Sequence, residues 1–175
     1  MDISGLDIRG RERAVSVTYD IEPLSDCWPE IEAIGRAHWQ ETMEYYRGKQ
    51  PYAPSYDRYN SYDKAGWLIT FTARDSETGQ MVGYSLMYLV PSMHTQTMIA
   101  TEDTIFLLPE YRRGRNGLRF HQFIESELRE RGAREIVVTA KPGSAACRLL
   151  EHIGFSVINH QYSKHLDAAE SLQAA

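Results

Sequence analysis

The stretch from Leu107 to Gly132 constrains this chain most. An apolar run stops at Pro109, whose ring fixes φ and removes a backbone donor. The segment Tyr111-Arg112-Arg113-Gly114-Arg115-Asn116-Gly117-Leu118 follows. Apolar residues then recur at Leu118, Phe120, Phe123, Ile124 and Leu128, the period of one helix face. The order predicts a strand, a short cationic loop, and a helix ending at Gly132. Backbone N–H groups at a helix start have no intrahelical acceptor, and the helix dipole is positive there, so the loop suits a phosphate. Gly114 and Gly117 let a ligand approach the backbone, and Arg112, Arg113 and Arg115 add donors that match phosphate geometry. A plain solvated basic loop is the competing reading. The chain has no G-x-x-x-x-G-K-[ST] and no G-x-G-x-x-G, which excludes a Walker loop and the dinucleotide fingerprint.

The rest of the chain fits one α/β domain spanning 1–175. Residues 1–13 read as a loose arm and 167–175 as a frayed tail. Val15 and Val17 alternate with Ser16 and Thr18 in a short strand over Ala14–Tyr19. A helix follows, with Ser25 or Asp26 as cap, Pro29 in its first turn, and Trp28, Ile31, Ile34 and His38 on one face. Strands are predicted at Trp67–Ala73, Met81–Val90 and about Gln96–Leu108, without intervening helices, which makes an antiparallel meander. After the loop and its helix come a strand at Glu135–Thr139, a helix capped by Ser144 and ended by Gly154, and a last strand at Phe155–Tyr162. The fold class is therefore a mixed central sheet, an antiparallel meander followed by β-α-β-α-β, with helices on both faces.

The loop and the ordered segments after it resemble the GCN5-related N-acetyltransferases, whose acyl-coenzyme A loop follows Arg/Gln-x-x-Gly-x-Gly/Ala. Arg112 and Gly117 match its ends; Arg115 stands where the middle glycine is usual, and Gly114 lies one place early. Ile153-Gly154-Phe155 is similar to the family's leucine-glycine-phenylalanine. The resemblance covers about Val82 to Lys164, and the loop version resembles those carried by bacteriophages. It implies acetyl-coenzyme A as donor, a primary amine as acceptor, and direct transfer in a ternary complex. Leu107 and Leu108 would meet the pantetheine and polarise the thioester through backbone groups, and the loop from Arg112 to Leu118 (with Arg113, Gly114, Arg115, Asn116 and Gly117) would hold the pyrophosphate.

An ammonium must lose a proton before it attacks a thioester, and a carboxylate can take it. Glu102 and Asp103 are the candidates; as strand neighbours they face opposite ways, so one should matter more, and Glu102 has the longer reach. Their competing reading is a solvent-facing or ion-paired strand position. The family's usual tyrosine acid falls at Leu150, so Tyr162 is the substitute candidate, unless the thiolate leaves without a dedicated acid. Trp39, Tyr45, Tyr46, Tyr52, Tyr56, Tyr59 and Tyr62 crowd a Pro-interrupted segment. They read first as rings packing a long loop, and the resemblance puts the segment on the acceptor side, where one or two would touch substrate.

Net charge −5 argues against general nucleic-acid binding without excluding a local basic patch. Cys27 and Cys147 make no disulfide framework, the scattered histidines make no metal motif, and Cys147 reads as packing. The start lacks a basic and apolar leader, and no run reaches membrane-spanning length, so a cytoplasmic protein is expected. Two alternatives stand beside the amine acetyltransferase. One is a non-catalytic acyl-coenzyme A-binding module. The other is an enzyme acting on a phage-related macromolecule, a modified DNA base or a host protein. Both a monomer and a homodimer are compatible with the sequence.

Overall fold

The computed structural model describes residues 16–42 and 51–164. The expected N-terminal arm, the expected C-terminal tail, the first residues of the first strand, and Tyr45 and Tyr46 lie outside the described residues. The chain divides into two compact units, Met1–Thr139 and Ala140–Ala175.

The first unit holds a five-stranded sheet in the order β1-β2-β3-β4-β5. Its strands are β1 (Val17–Ile21), β2 (Leu68–Asp75), β3 (Met81–Pro91), β4 (Met98–Leu107) and β5 (Glu135–Val137). β1 to β4 pair antiparallel, and short turns join β2 to β3 and β3 to β4. β5 lies parallel to β4, reached through α3 (Asn116–Glu130). α1 (Leu24–Thr42) covers one face: Leu24, Cys27 and Ile31 pack with Leu68, Tyr84, Leu86 and Phe106. α3 covers the other, setting Phe120, Ile124 and Leu128 against Phe71, Val82, Met87 and Leu107. The mixed sheet with helices on both faces thus forms as the sequence predicts.

Three local expectations are corrected. α1 begins at Leu24, so Pro29 is inside the helix rather than in its first turn, and Ser25 Oγ bonds Asp26 instead of capping. Part of the tyrosine-rich segment is helical: α2 runs Tyr56–Lys64, and Ser55 Oγ caps it by accepting from the Arg58 N–H at 3.4 Å. In the second unit, α4 (Ala145–His152) forms with Ser144 as its cap, as read from sequence. Phe155–Tyr162, however, adopts no strand. Val157 and Ile158 are 71% and 66% exposed, so the local β-propensity there is not realised in a ladder.

Two irregularities shape the sheet. Gly83 sits opposite Leu107, and a Cβ added there would meet the Phe106 carbonyl oxygen at 2.7 Å. Glycine therefore permits the close approach of β3 to β4. Farther along the same pair, Leu86 opposes Thr104 while Met87 opposes Glu102. Asp103 is the extra residue of a β-bulge.

Candidate functional site

The bulge decides where the two carboxylates go. In a regular strand Asp103 and Thr104 would face opposite sides. Here both line one pocket of about 340 Å³, together with residues of α1, α2 and the segment before α2. The Tyr59 hydroxyl donates to Asp103 Oδ2 at 2.8 Å. Tyr59 is itself held against Trp28 on α1, ring centroids 5.6 Å apart. Burial raises the Asp103 carboxyl above its ordinary value, and the Tyr59 hydrogen bond partly offsets that.

Glu102 is placed differently. Its Oε2 accepts from the Thr139 N–H at 2.8 Å and lies 3.2 Å from Thr139 Oγ1. Burial raises this carboxyl too, against the Thr139 bonds that lower it. β4 and β5 pair only over Ile99–Thr101 and Glu135–Val137, so Glu102 ties β4 to the segment after β5 just where the ladder ends. Beyond that point, among the described residues, β4 runs on to Leu107 with no further strand paired on this, its open edge. The Leu108 N–H is turned the other way, donating to the Val82 carbonyl at 2.8 Å. Backbone groups alternate along a strand, so those of Leu107 face the open edge.

In the same pocket, His38 Nδ1 lies 3.0 Å from Thr104 Oγ1 and 3.2 Å from the Tyr84 hydroxyl. Its ring stacks on Phe106 at 4.5 Å. Burial pulls His38 down to about 4, Arg112 pushing the same way and Glu41 opposing, so the imidazole is neutral at pH 7. Aromatic rings also line the site: Trp28, Trp39, Tyr52, Tyr59 and Tyr84.

At the loop, the guanidinium of Arg112 is engaged by groups of the chain itself. Its Nε donates to the Leu107 carbonyl at 2.6 Å, its two terminal nitrogens grip the Glu41 carboxylate at 2.5 and 2.9 Å, and its Cζ lies 4.9 Å over the Phe106 ring. Asn116 is buried and also structural: its Nδ2 donates to the Tyr111 carbonyl, and its own carbonyl accepts from the Tyr19 hydroxyl at 2.9 Å. Arg113 and Arg115 are exposed, and Gly114 holds φ +63°, the left-handed conformation glycine adopts freely. α3 starts with no side-chain cap on Arg115, and Gly117 and Leu118 are in its first turn. Uncapped N–H groups, a glycine turn and exposed cations are the donor set that a pyrophosphate needs. Tyr162 is 90% exposed and on no strand.

Residues 31–155 match the model of the acetyltransferase (GNAT) family. The chain belongs to that family. It is an N-acetyltransferase that moves an acetyl group from acetyl-coenzyme A to an amine. No curated protein matches the chain. Solved structures agree in fold. A transcriptional regulator from Bacillus halodurans is 20% identical at TM-score 0.67, covering 86% of this chain and 99% of its own. A ribosomal-protein-alanine N-acetyltransferase from Brucella melitensis biovar Abortus is 19% identical at TM-score 0.62, with coverage of 86% and 99%. An aminoglycoside acetyltransferase from an uncultured soil metagenomic sample is 14% identical at TM-score 0.65, with coverage of 85% and 96%. Among the described residues no helix is long and apolar enough to cross a membrane, and no group of His, Cys, Asp and Glu is arranged to hold a metal.

Sequence reasoning passed over Tyr84 and Thr104, and left Tyr59 as one of several tyrosines on the acceptor side without singling it out. A signal for Tyr59 existed: Tyr56, Tyr59 and Asp63 follow helical spacing behind Ser55. The bulge also left a trace, the polar run Thr101-Glu102-Asp103-Thr104 inside an apolar strand.

Proposed function

We propose that transfer in this acetyltransferase occurs by direct attack of the amine on the thioester in a ternary complex, with Asp103 as the base. The observation that carries this is the bulge, which turns Asp103 into the pocket beside the open edge of β4. Its raised carboxyl brings it toward the range where a base both ionises and accepts a proton near neutral pH. The Glu102 carboxylate, engaged by Thr139, acts as a staple at the strand divergence. The sequence-based preference for Glu102 thus passes to Asp103.

The pyrophosphate contacts then fall to Arg113, Gly114, Arg115, Gly117, Leu118 and the start of α3, while Arg112 and Asn116 shape the loop. The Leu107 N–H, facing the open edge, polarises the thioester carbonyl. One proton of the ammonium goes to Asp103. The nitrogen lone pair forms the C–N bond, and the C–S bond breaks with its electrons going to sulfur. The second amine proton leaves to solvent, which also supplies the proton for the thiolate. No dedicated acid is needed in this scheme, and the exposed Tyr162 is not assigned the task.

The pocket volume supports a small amine rather than a modified DNA base or a host protein. A cytoplasmic setting supplied with acetyl-coenzyme A accompanies this reading. Steady-state release of free coenzyme A with a panel of small primary amines tests it. Release that depends on the amine is expected. Acetyl-coenzyme A binding with no amine-dependent release would favour a non-catalytic module instead.

A further inference from the structure

The pocket beside Asp103 has an unusual balance of charge. Five aromatic rings, from Trp28, Trp39, Tyr52, Tyr59 and Tyr84, contribute to its wall. Among the described residues lining it, Asp103 is the one carboxylate, and none is lysine or arginine. His38 lines it too, hydrogen-bonded with Thr104 and Tyr84. The nearby Arg112 is neutralised by its two-pronged pair with Glu41. The volume is at the small end of the ~300–1,000 Å³ typical for small-molecule pockets.

Each class of amine meets this wall differently. A polycation would bring several ammonium groups to a site with one carboxylate, leaving the others desolvated against rings. An amino acid would set its own carboxylate near Asp103 with no lysine or arginine among the described lining residues to receive it. An amine with one positive charge and a flat apolar body finds a partner for each part: the ammonium meets Asp103, and the body stacks on the rings.

We infer that the acceptor is an arylalkyl monoamine, a primary amine that carries an aromatic ring and no carboxylate, seated in the aromatic pocket with its ammonium on Asp103. This rests on the reading of Asp103 and the pocket given above. It also separates this chain from the acceptor type named for its aminoglycoside-acetylating structural relative.

The test compares 2-phenylethylamine, phenylalanine, spermidine and kanamycin as acceptors, with calorimetric titration of each onto the coenzyme A complex. The expected result is a kcat/KM for 2-phenylethylamine about 100-fold or more above that of phenylalanine, the pair differing only by the carboxylate, and similarly above both polycations. Acetylation that favours spermidine, kanamycin or phenylalanine would overturn the monoamine assignment while leaving the acetyltransferase intact. Absence of 2-phenylethylamine binding to the complex, while acetyl-coenzyme A binds, would overturn it as well. Binding of 2-phenylethylamine without any transfer would support the pocket assignment and contradict the Asp103 chemistry instead. Asp103→Asn should weaken 2-phenylethylamine binding and leave coenzyme A binding unchanged; equal amine binding by the variant would count against the ammonium contact.

Discussion

The Tyr59 hydroxyl donates to the Asp103 carboxylate at 2.8 Å, joining residues 44 apart in the chain. The bond links α2 to the bulge of β4 and fixes the orientation of the carboxylate in the pocket wall. It also lowers a carboxyl that burial has raised.

Tyr59→Phe should therefore move the acid limb of the kcat/KM profile upward in pH. The hydrogen bond that favours the ionised carboxylate is gone, while the burial that disfavours it remains. A pH–rate profile of the variant checks this, and a limb that stays in place or moves down would detach Tyr59 from the base.

Stability offers a second view of the same group. Folding raises the Asp103 carboxyl above its ordinary 3.8, so the folded state holds that proton more tightly. The favourable contribution is present below about pH 3.8 and is lost as pH rises through the folded value. Asp103→Asn cannot ionise. Its Tm relative to the parent should rise between acidic and neutral pH, as thermal melts at several pH values would reveal. A difference that is flat or falls over that range would mean the carboxylate is not strained by burial.

Arg112 and the loop cations should separate in their effects. Arg112→Ala removes the Glu41 pair and the bond to the Leu107 carbonyl, so it should lower stability by about 1 kcal/mol, as expected of a part-exposed ion pair. Arg113→Ala with Arg115→Ala should instead weaken acetyl-coenzyme A binding with little change in Tm. Calorimetry and thermal melts on both variants distinguish the roles, and the reverse pattern would return Arg112 to the phosphate.

Gly83→Ala tests the close approach of β3 and β4. The added methyl meets backbone, the Phe106 carbonyl oxygen at 2.7 Å, which cannot swing aside as a side chain does. A loss of roughly 1–3 kcal/mol is expected from overpacking. An unchanged denaturation midpoint would show that the strands separate easily at this point.

The sequence was most informative where a local pattern was enough. Ser144 before an apolar helix face, the turn at Asp75–Gly79, and the strand–Arg/Gly loop–helix order are all encoded by neighbours, and all are present in the structure. The candidate site depends on contacts that no local pattern specifies. The destinations of Asp103 and Glu102 are set by one unpaired residue in a ladder between distant strands. Arg112 is directed by Glu41, 71 residues away. Phe155–Tyr162 has strand-like composition, but a strand also needs a partner, which composition cannot supply.

The central claim is that Asp103 takes the proton from the attacking amine. The most direct measurement is kcat for coenzyme A release against pH, parent beside Asp103→Asn, with the acetyl-coenzyme A Kd of each as control. The account predicts a loss of roughly 10²–10⁴-fold at neutral pH, partial recovery as rising pH neutralises more amine in solution, and an unchanged Kd. Near-parental turnover of Asp103→Asn at neutral pH, with Glu102→Gln carrying the loss instead, would contradict it.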